Sequence, residues 1–124
     1  MANYVVWLDS STAKMFALHP GEFEETKLKR HELKHHNTAV DKAQNNHKNL
    51  EKFFHEVAQS LDQAHEILLI GPGDAKIHFQ KHLEGHHHAG LAGKIVGTET
   101  VDHPTDGQIV ALARKFFKKH LQLV

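Results

Sequence analysis

Residues 66–113 read EILLIGPGDAKIHFQKHLEGHHHAGLAGKIVGTETVDHPTDGQIVALA, and their order of patterns decides the fold. Ile67-Leu68-Leu69-Ile70 is apolar without alternation, as a short central strand covered on both faces requires. Gly71-Pro72-Gly73-Asp74 is a turn that places Pro72 and Asp74 where a helix begins, and both residue types favour a first turn. Ile77, Phe79 and Leu83 are available to pack that helix. Residues 85–93, GHHHAGLAG, read as a flexible glycine- and histidine-rich loop. A second strand spans 94–101, with Ile95, Val96 and Val101. Thr105-Asp106-Gly107-Gln108 then matches the Thr-x-x-Gln capping box that opens a helix. That helix buries Ile109, Leu112, Ala113 and Phe116 or Phe117. Strand, helix, strand, helix implies a parallel pair joined by a right-handed crossover.

Upstream, Tyr4 to Leu8 and Ala13 to Leu18 are strands joined by the polar turn Asp9-Ser10-Ser11-Thr12, which fits a hairpin. After His19-Pro20-Gly21-Glu22, residues 23–33 alternate partly, with Phe23, Leu28 and Leu33 among many charges. Charge that dense belongs on a sheet edge, where it discourages pairing with other chains. Residues 34–47, KHHNTAVDKAQNNH, resemble an exposed loop or a frayed helix start. From Lys48, Leu50, Phe53, Phe54, Val57, Ala58 and Leu61 form one apolar helical stripe. The expected order is β-β-β-α-β-α-β-α over a single domain, residues 1–124. This is an α/β, ribonuclease-H-like, three-layer architecture with a mixed five-stranded sheet and helices on both faces.

Whole-chain properties exclude several classes. The 124 residues suit one core. Apolar content of 40% and charged content of 24% are those of a soluble globular protein. Lys plus Arg and Asp plus Glu balance at 15 each, so no global basic excess points to nucleic acid. Without cysteine there are no disulfides or thiolate metal sites, and a reducing cytoplasm is permitted. MANYVVWLDSS reads as no signal peptide, and no apolar run nears the ~18 residues that span a bilayer. Histidine is the exception to this ordinary composition, at 14 residues. Below about pH 6.5 it adds many positive charges.

With these elements in order, the chain resembles the middle domain of the eukaryotic and archaeal class-I release factors and of the Pelota rescue factor. The resemblance lies in YVVWLDSSTAKMFAL (residues 4–18) as opening hairpin and ILLIGPGDAKIHFQKHL (67–83) as strand, glycine turn and helix. KIVGTETVD (94–102) and DGQIVALA (106–113) close the pattern. It implies the ribonuclease-H-like fold of translational machinery components, in a small bacterial stand-alone relative with the ribosome or structured RNA as partner. The family's catalytic Gly-Gly-Gln falls between the third strand and the first long helix. Here that slot is residues 34–47, which contain no glycine, so the resemblance does not imply release activity. Gly107-Gln108 is no substitute, because Gln108 is the capping partner of Thr105.

Candidate sites follow from residue chemistry. Lys27, Lys29, Arg30, Lys34, His35, His36 and Asn37 are the candidate RNA-binding set, donors suited to phosphate and ribose. A second basic set, Arg114, Lys115, Lys118 and Lys119, also suits the helix dipole. Tyr4, Trp7 and Phe16 look buried, leaving Phe23 to stack a base, so any RNA contact is through backbone and shape and is salt-dependent. Gly71, Gly73 and Lys76 form a candidate anion-binding turn, against the simpler reading of tight strand-helix packing. A ribonuclease-H-type nuclease needs clustered carboxylates for metal ions, and Asp9, Asp74, Glu99 and Asp102 are the available ones. Asp9 and Asp74 are equally natural turn and helix-start residues. His31, His35 and His36, and the run His86-His87-His88, suit Zn²⁺, Ni²⁺ or Cu²⁺ chemically. Adjacent histidines in a glycine-rich loop point different ways, so a solvated histidine surface is expected and no metal or other cofactor is assigned. The sequence leaves open a His-based metal- or pH-responsive role and homo-oligomerisation.

Overall fold

A computed structural model describes residues 2–31, 39–86 and 88–123. Strands β1 (Ala2–Leu8), β2 (Thr12–His19) and β3 (Glu22–Lys29) form the antiparallel meander. Helix α1 (Ala39–Ser60) leads to β4 (Ala64–Gly71), and α2 (Ala75–Gly85) with the short α3 (Ala89–Ala92) leads to β5 (Ile95–Thr100). Helix α4 (Asp106–Leu123) follows. The sheet order is β3-β2-β1-β4-β5, with β1, β4 and β5 parallel. The charge-dense β3 therefore occupies an edge, and the all-apolar β4 lies inside the sheet.

Strand parity divides the core into two layers. Val6, Leu8, Met15, Ile67 and Leu69 face Phe53, Phe54, Val57 and Leu61 of α1 together with Phe79 and Leu83 of α2. Val5, Trp7, Phe16, Leu68 and Ile70 face Ile109, Ala113 and Phe117 of α4. Each fully buried Leu, Ile or Phe contributes roughly 1.5–3 kcal/mol relative to exposure, so a continuous apolar β4 outweighs its lack of alternation. The indole N–H of Trp7 donates to the Asp102 carbonyl at 2.8 Å, which satisfies the one polar atom that this ring brings into the core.

Three local expectations are corrected and one alternative is resolved. β3 ends at Lys29 rather than Leu33, so His31 lies beyond the strand. α1 begins at Ala39, so of the two readings of residues 34–47 the helix start holds from there, well before the apolar stripe that opens at Leu50. Its early turns are tied down by polar contacts, since the Arg30 guanidinium donates to Asn49 Oδ1, Asn46 Oδ1 and the Asn46 carbonyl. The 85–93 loop holds the turn α3, whose first bonds run from Leu91 N–H and Ala92 N–H to the His88 carbonyl. Finally, Ile77 is 48% exposed, and the buried stripe of α2 is Lys76, Phe79, His82 and Leu83. Two of the four residues facing inward are polar, which is why an apolar reading chose the wrong flank.

Among the described residues no helix is long and apolar enough to cross a membrane.

Candidate functional site

The basic strand comes first. Lys27 pairs across the sheet with Lys14, and Lys29 with Thr12. Directly opposed residues share a face, so Lys27 and Lys29 stand on the α4 side, where Lys14 reaches Asp106 at 3.2 Å. Both lysines are exposed. Beside them Glu25 has its carboxyl pushed up, by partial burial and then by its hydrogen bond and proximity to Asp106. Arg30 belongs elsewhere: besides its bonds to α1, it donates to the Ser10 carbonyl at 3.2 Å. It clamps α1 to the β1–β2 turn, and its planar fork is largely committed to that task. Lys34, His35, His36 and Asn37 lie outside the described residues. Phe23 is 42% exposed; Trp7 and Phe16 are buried, as read from the sequence, whereas Tyr4 is only half-buried.

The Gly71–Lys76 turn is built around Lys76. Only 5% of that residue is exposed, and its ammonium donates to the carbonyls of Gly71 at 2.7 Å and Gly73 at 2.8 Å. Two of its three N–H donors thus close the turn from inside. Gly71 has φ +150°, and a Cβ there would collide with the Leu8 carbonyl oxygen, so the end of β4 approaches β1 more closely than any side chain allows. Strand-helix packing accounts for this glycine. Asp74 precedes α2 without a side-chain capping bond.

The carboxylates are dispersed in role. Asp9 Oδ1 accepts from Ser11 N–H at 2.8 Å and Thr12 N–H at 2.7 Å, an Asx-type closure of the hairpin turn. Asp102 Oδ1 takes a 2.8 Å contact from His103 Nδ1. Glu99 is exposed on β5. Among the described residues, no three His, Asp or Glu side chains converge with metal-ligand geometry. Gln108 caps α4 reciprocally: its N–H donates to Thr105 Oγ1 at 3.2 Å, and its Oε1 accepts from Thr105 N–H at 2.9 Å.

What sequence reading missed is a histidine seam between α1, α2 and α3. His82 is buried, at 7% exposure, with its ring edge-on to Phe54. His86 stacks on it with ring centroids 4.2 Å apart and planes 17° apart, and donates from Nδ1 to the His82 carbonyl at 3.0 Å. His88 lies 6.1 Å from the His82 ring centre, and its Nε2 is 3.3 Å from His55 Nδ1. Glu51 Oε1 is 2.9 Å from His47 Nε2 and 3.8 Å from His86 Nε2. Nε2 of His82 is buried with no hydrogen-bond partner among the described residues. Burial pushes the His82 imidazole down to about 4, helped by the neighbouring His86 and His88 and opposed by Glu51. A groove of about 430 Å³ runs along this seam, lined by His47, Glu51, Phe54, His78, His82 and His86, among others. The signal was present in the sequence. His47, Glu51 and His55, and His78, His82 and His86, are two ladders at i, i+4 spacing, which places each set on one helix face.

No family model and no curated protein matches the sequence. Solved structures do. Pelota from Archaeoglobus fulgidus is 16% identical, with a TM-score of 0.65 over 92% of this chain and 31% of that one. Pelota from Thermoplasma acidophilum is also 16% identical, with a TM-score of 0.58 over 86% of this chain and 30% of that one. The archaeal translation termination factor aRF1 is 16% identical, with a TM-score of 0.57 over 98% of this chain and 41% of that one. This chain has the fold of one part of those proteins. It spans between 30% and 41% of their lengths, and the likeness at this identity is one of fold. The mixed five-stranded, helix-covered architecture read from the element order is the one observed.

Proposed function

We propose that this chain is a non-enzymatic, translation-associated protein that binds the ribosome or a structured RNA. The observation that carries this reading is the fold agreement over nearly the whole chain with Pelota and with a translation termination factor. Two features of the chain support it. The 34–47 segment contains no glycine, so it offers no Gly-Gly-Gln for peptidyl-tRNA hydrolysis. Lys27 and Lys29 are exposed on an edge strand that runs toward that segment, a disposition suited to phosphate contact. The RNA-binding set is Lys27 and Lys29 with Lys34, His35, His36 and Asn37. Arg30 acts as a positioning residue that holds the strand end against α1.

Binding by a few phosphate contacts weakens steeply with salt. Co-sedimentation with purified ribosomes at low salt tests the reading. The protein is expected in the ribosomal fraction at low ionic strength and in the free fraction at high ionic strength. Free protein in every low-salt gradient overturns it.

A further inference from the structure

The histidine seam plays no part in the proposed RNA contact. We propose that it is a proton-operated latch: at acidic pH the C-terminal half of α2 and the attached α3 release from α1, and they reseat at neutral pH. Four imidazoles meet at this junction, and one of them, His82, is buried with Nε2 unpartnered among the described residues. A proton added there meets no acceptor among those residues, so the closed seam favours the neutral ring. The His82–His86 stack at 4.2 Å and the His55–His88 contact at 3.3 Å add to this. The second contact needs one ring to donate and the other to accept, and double protonation removes the acceptor.

The charges facing the seam favour opening in acid. α1 contributes Glu51, His47 and His55, and α2 contributes Lys81, His78 and His86. His88 faces it from the segment before α3, with Asp62 and Lys94 in the adjoining groove. The attraction of Glu51 to His82 opposes the shift, against repulsion from His86, His88 and His55. The sign is therefore fixed. The latch is closed above the ordinary histidine range near pH 6.5, and it loosens as pH falls toward 4. Phe79 holds the earlier part of α2 in the core, and α4 lies on the opposite face of the sheet, so release is local.

Hydrogen exchange at pH 7 and pH 5, corrected for intrinsic rates and run with a chelator present, tests this. In acid, peptides covering 47–58 and 82–94 are expected to exchange about tenfold faster or more, while α4 keeps its protection. His82→Phe retains the ring packing on Phe54 without a titrating nitrogen, and it should keep the seam protected at pH 5. His103→Ala, at an exposed histidine beyond the seam, should leave the response intact. Unchanged seam protection in wild type overturns the proposal, as does equal loss in α4, or a normal acid response in a folded His82→Phe protein. Should that variant fail to fold, an NMR titration of the wild-type His82 ring decides. Protonation coincident with α2 opening supports the latch, and protonation in a still-protected helix refutes it.

Discussion

On one side of the sheet, α4 sets Ile109, Ala113 and Phe117 against Val5, Trp7, Leu68 and Ile70, begins with a reciprocal capping box, and ties Asp106 to Lys14. On the other, α2 begins without a side-chain cap, turns around a buried ammonium, and meets α1 along stacked imidazoles. Both layers bury aliphatic and aromatic side chains on the same β4 strand, so hydrocarbon does not distinguish them. They differ in where their ionisable groups are buried. Lys76 and His82 both lie in the α1–α2–α3 layer, and Nε2 of His82 has no partner among the described residues. On the α4 side the buried unpartnered atom is Asn3 Oδ1, an amide oxygen that does not titrate. Acid therefore acts on a buried imidazole in the second layer and on part-exposed carboxylate pairs such as Lys14–Asp106 in the first.

Four changes sharpen or break that contrast, in decreasing order of effect. Phe79→Ala removes the fully buried ring of α2 and is expected to cost about 3–5 kcal/mol in denaturant unfolding, a loss no rearrangement of the seam can offset. Second comes acid. His82 titrates near 4 when folded against about 6.5 when unfolded, so the unfolded chain binds the extra proton between these values. Stability is complete above pH 6.5, falls as pH drops to about 4, and loses roughly 2–3 kcal/mol from this group. Equilibrium melts across that window should show the fall in wild type and a much smaller one in His82→Phe. Third, Lys76→Met keeps the apolar stem but removes both turn bonds, for about 1–2 kcal/mol, while Lys115→Met on the exposed side of α4 should change little. Fourth, Thr105→Ala should cost about 1 kcal/mol and Asp74→Ala a few tenths, because only the former makes a side-chain cap. Equal losses at the two helix starts would erase the difference between the layers.

The same contrast explains what could be read in the sequence. The α4 layer speaks in strong local signals: a capping box at Thr105 and Gln108, an apolar stripe through Ile109 and Ala113, and a continuous apolar strand at 67–70. The charge density of residues 23–33 likewise points to an edge strand, and β3 is at the edge. α2 was legible as a helix, but its inward face was not. Lys76 and His82 are polar types that normally point outward, and only the tertiary contacts with Gly71, Gly73 and Phe54 reverse that preference. The structural task of Arg30 is hidden for a similar reason. A guanidinium beside two lysines reads as part of a basic patch, and its partners Asn46 and Asn49 lie 16 and 19 residues away on α1. The basic pair itself, Lys27 and Lys29, is where the sequence reading put it, on an exposed edge.

The most direct test of the proposed function separates the two basic regions by charge reversal. Ribosome co-sedimentation at low salt would be compared for wild type, Lys27→Glu with Lys29→Glu, and Lys115→Glu with Lys118→Glu, all in proteins that unfold at the same denaturant concentration. The expected result is loss of ribosome association with the β3 pair reversed and retention with the α4 pair reversed. Association that survives reversal of Lys27 and Lys29, or that fails only when α4 is changed, would contradict the account.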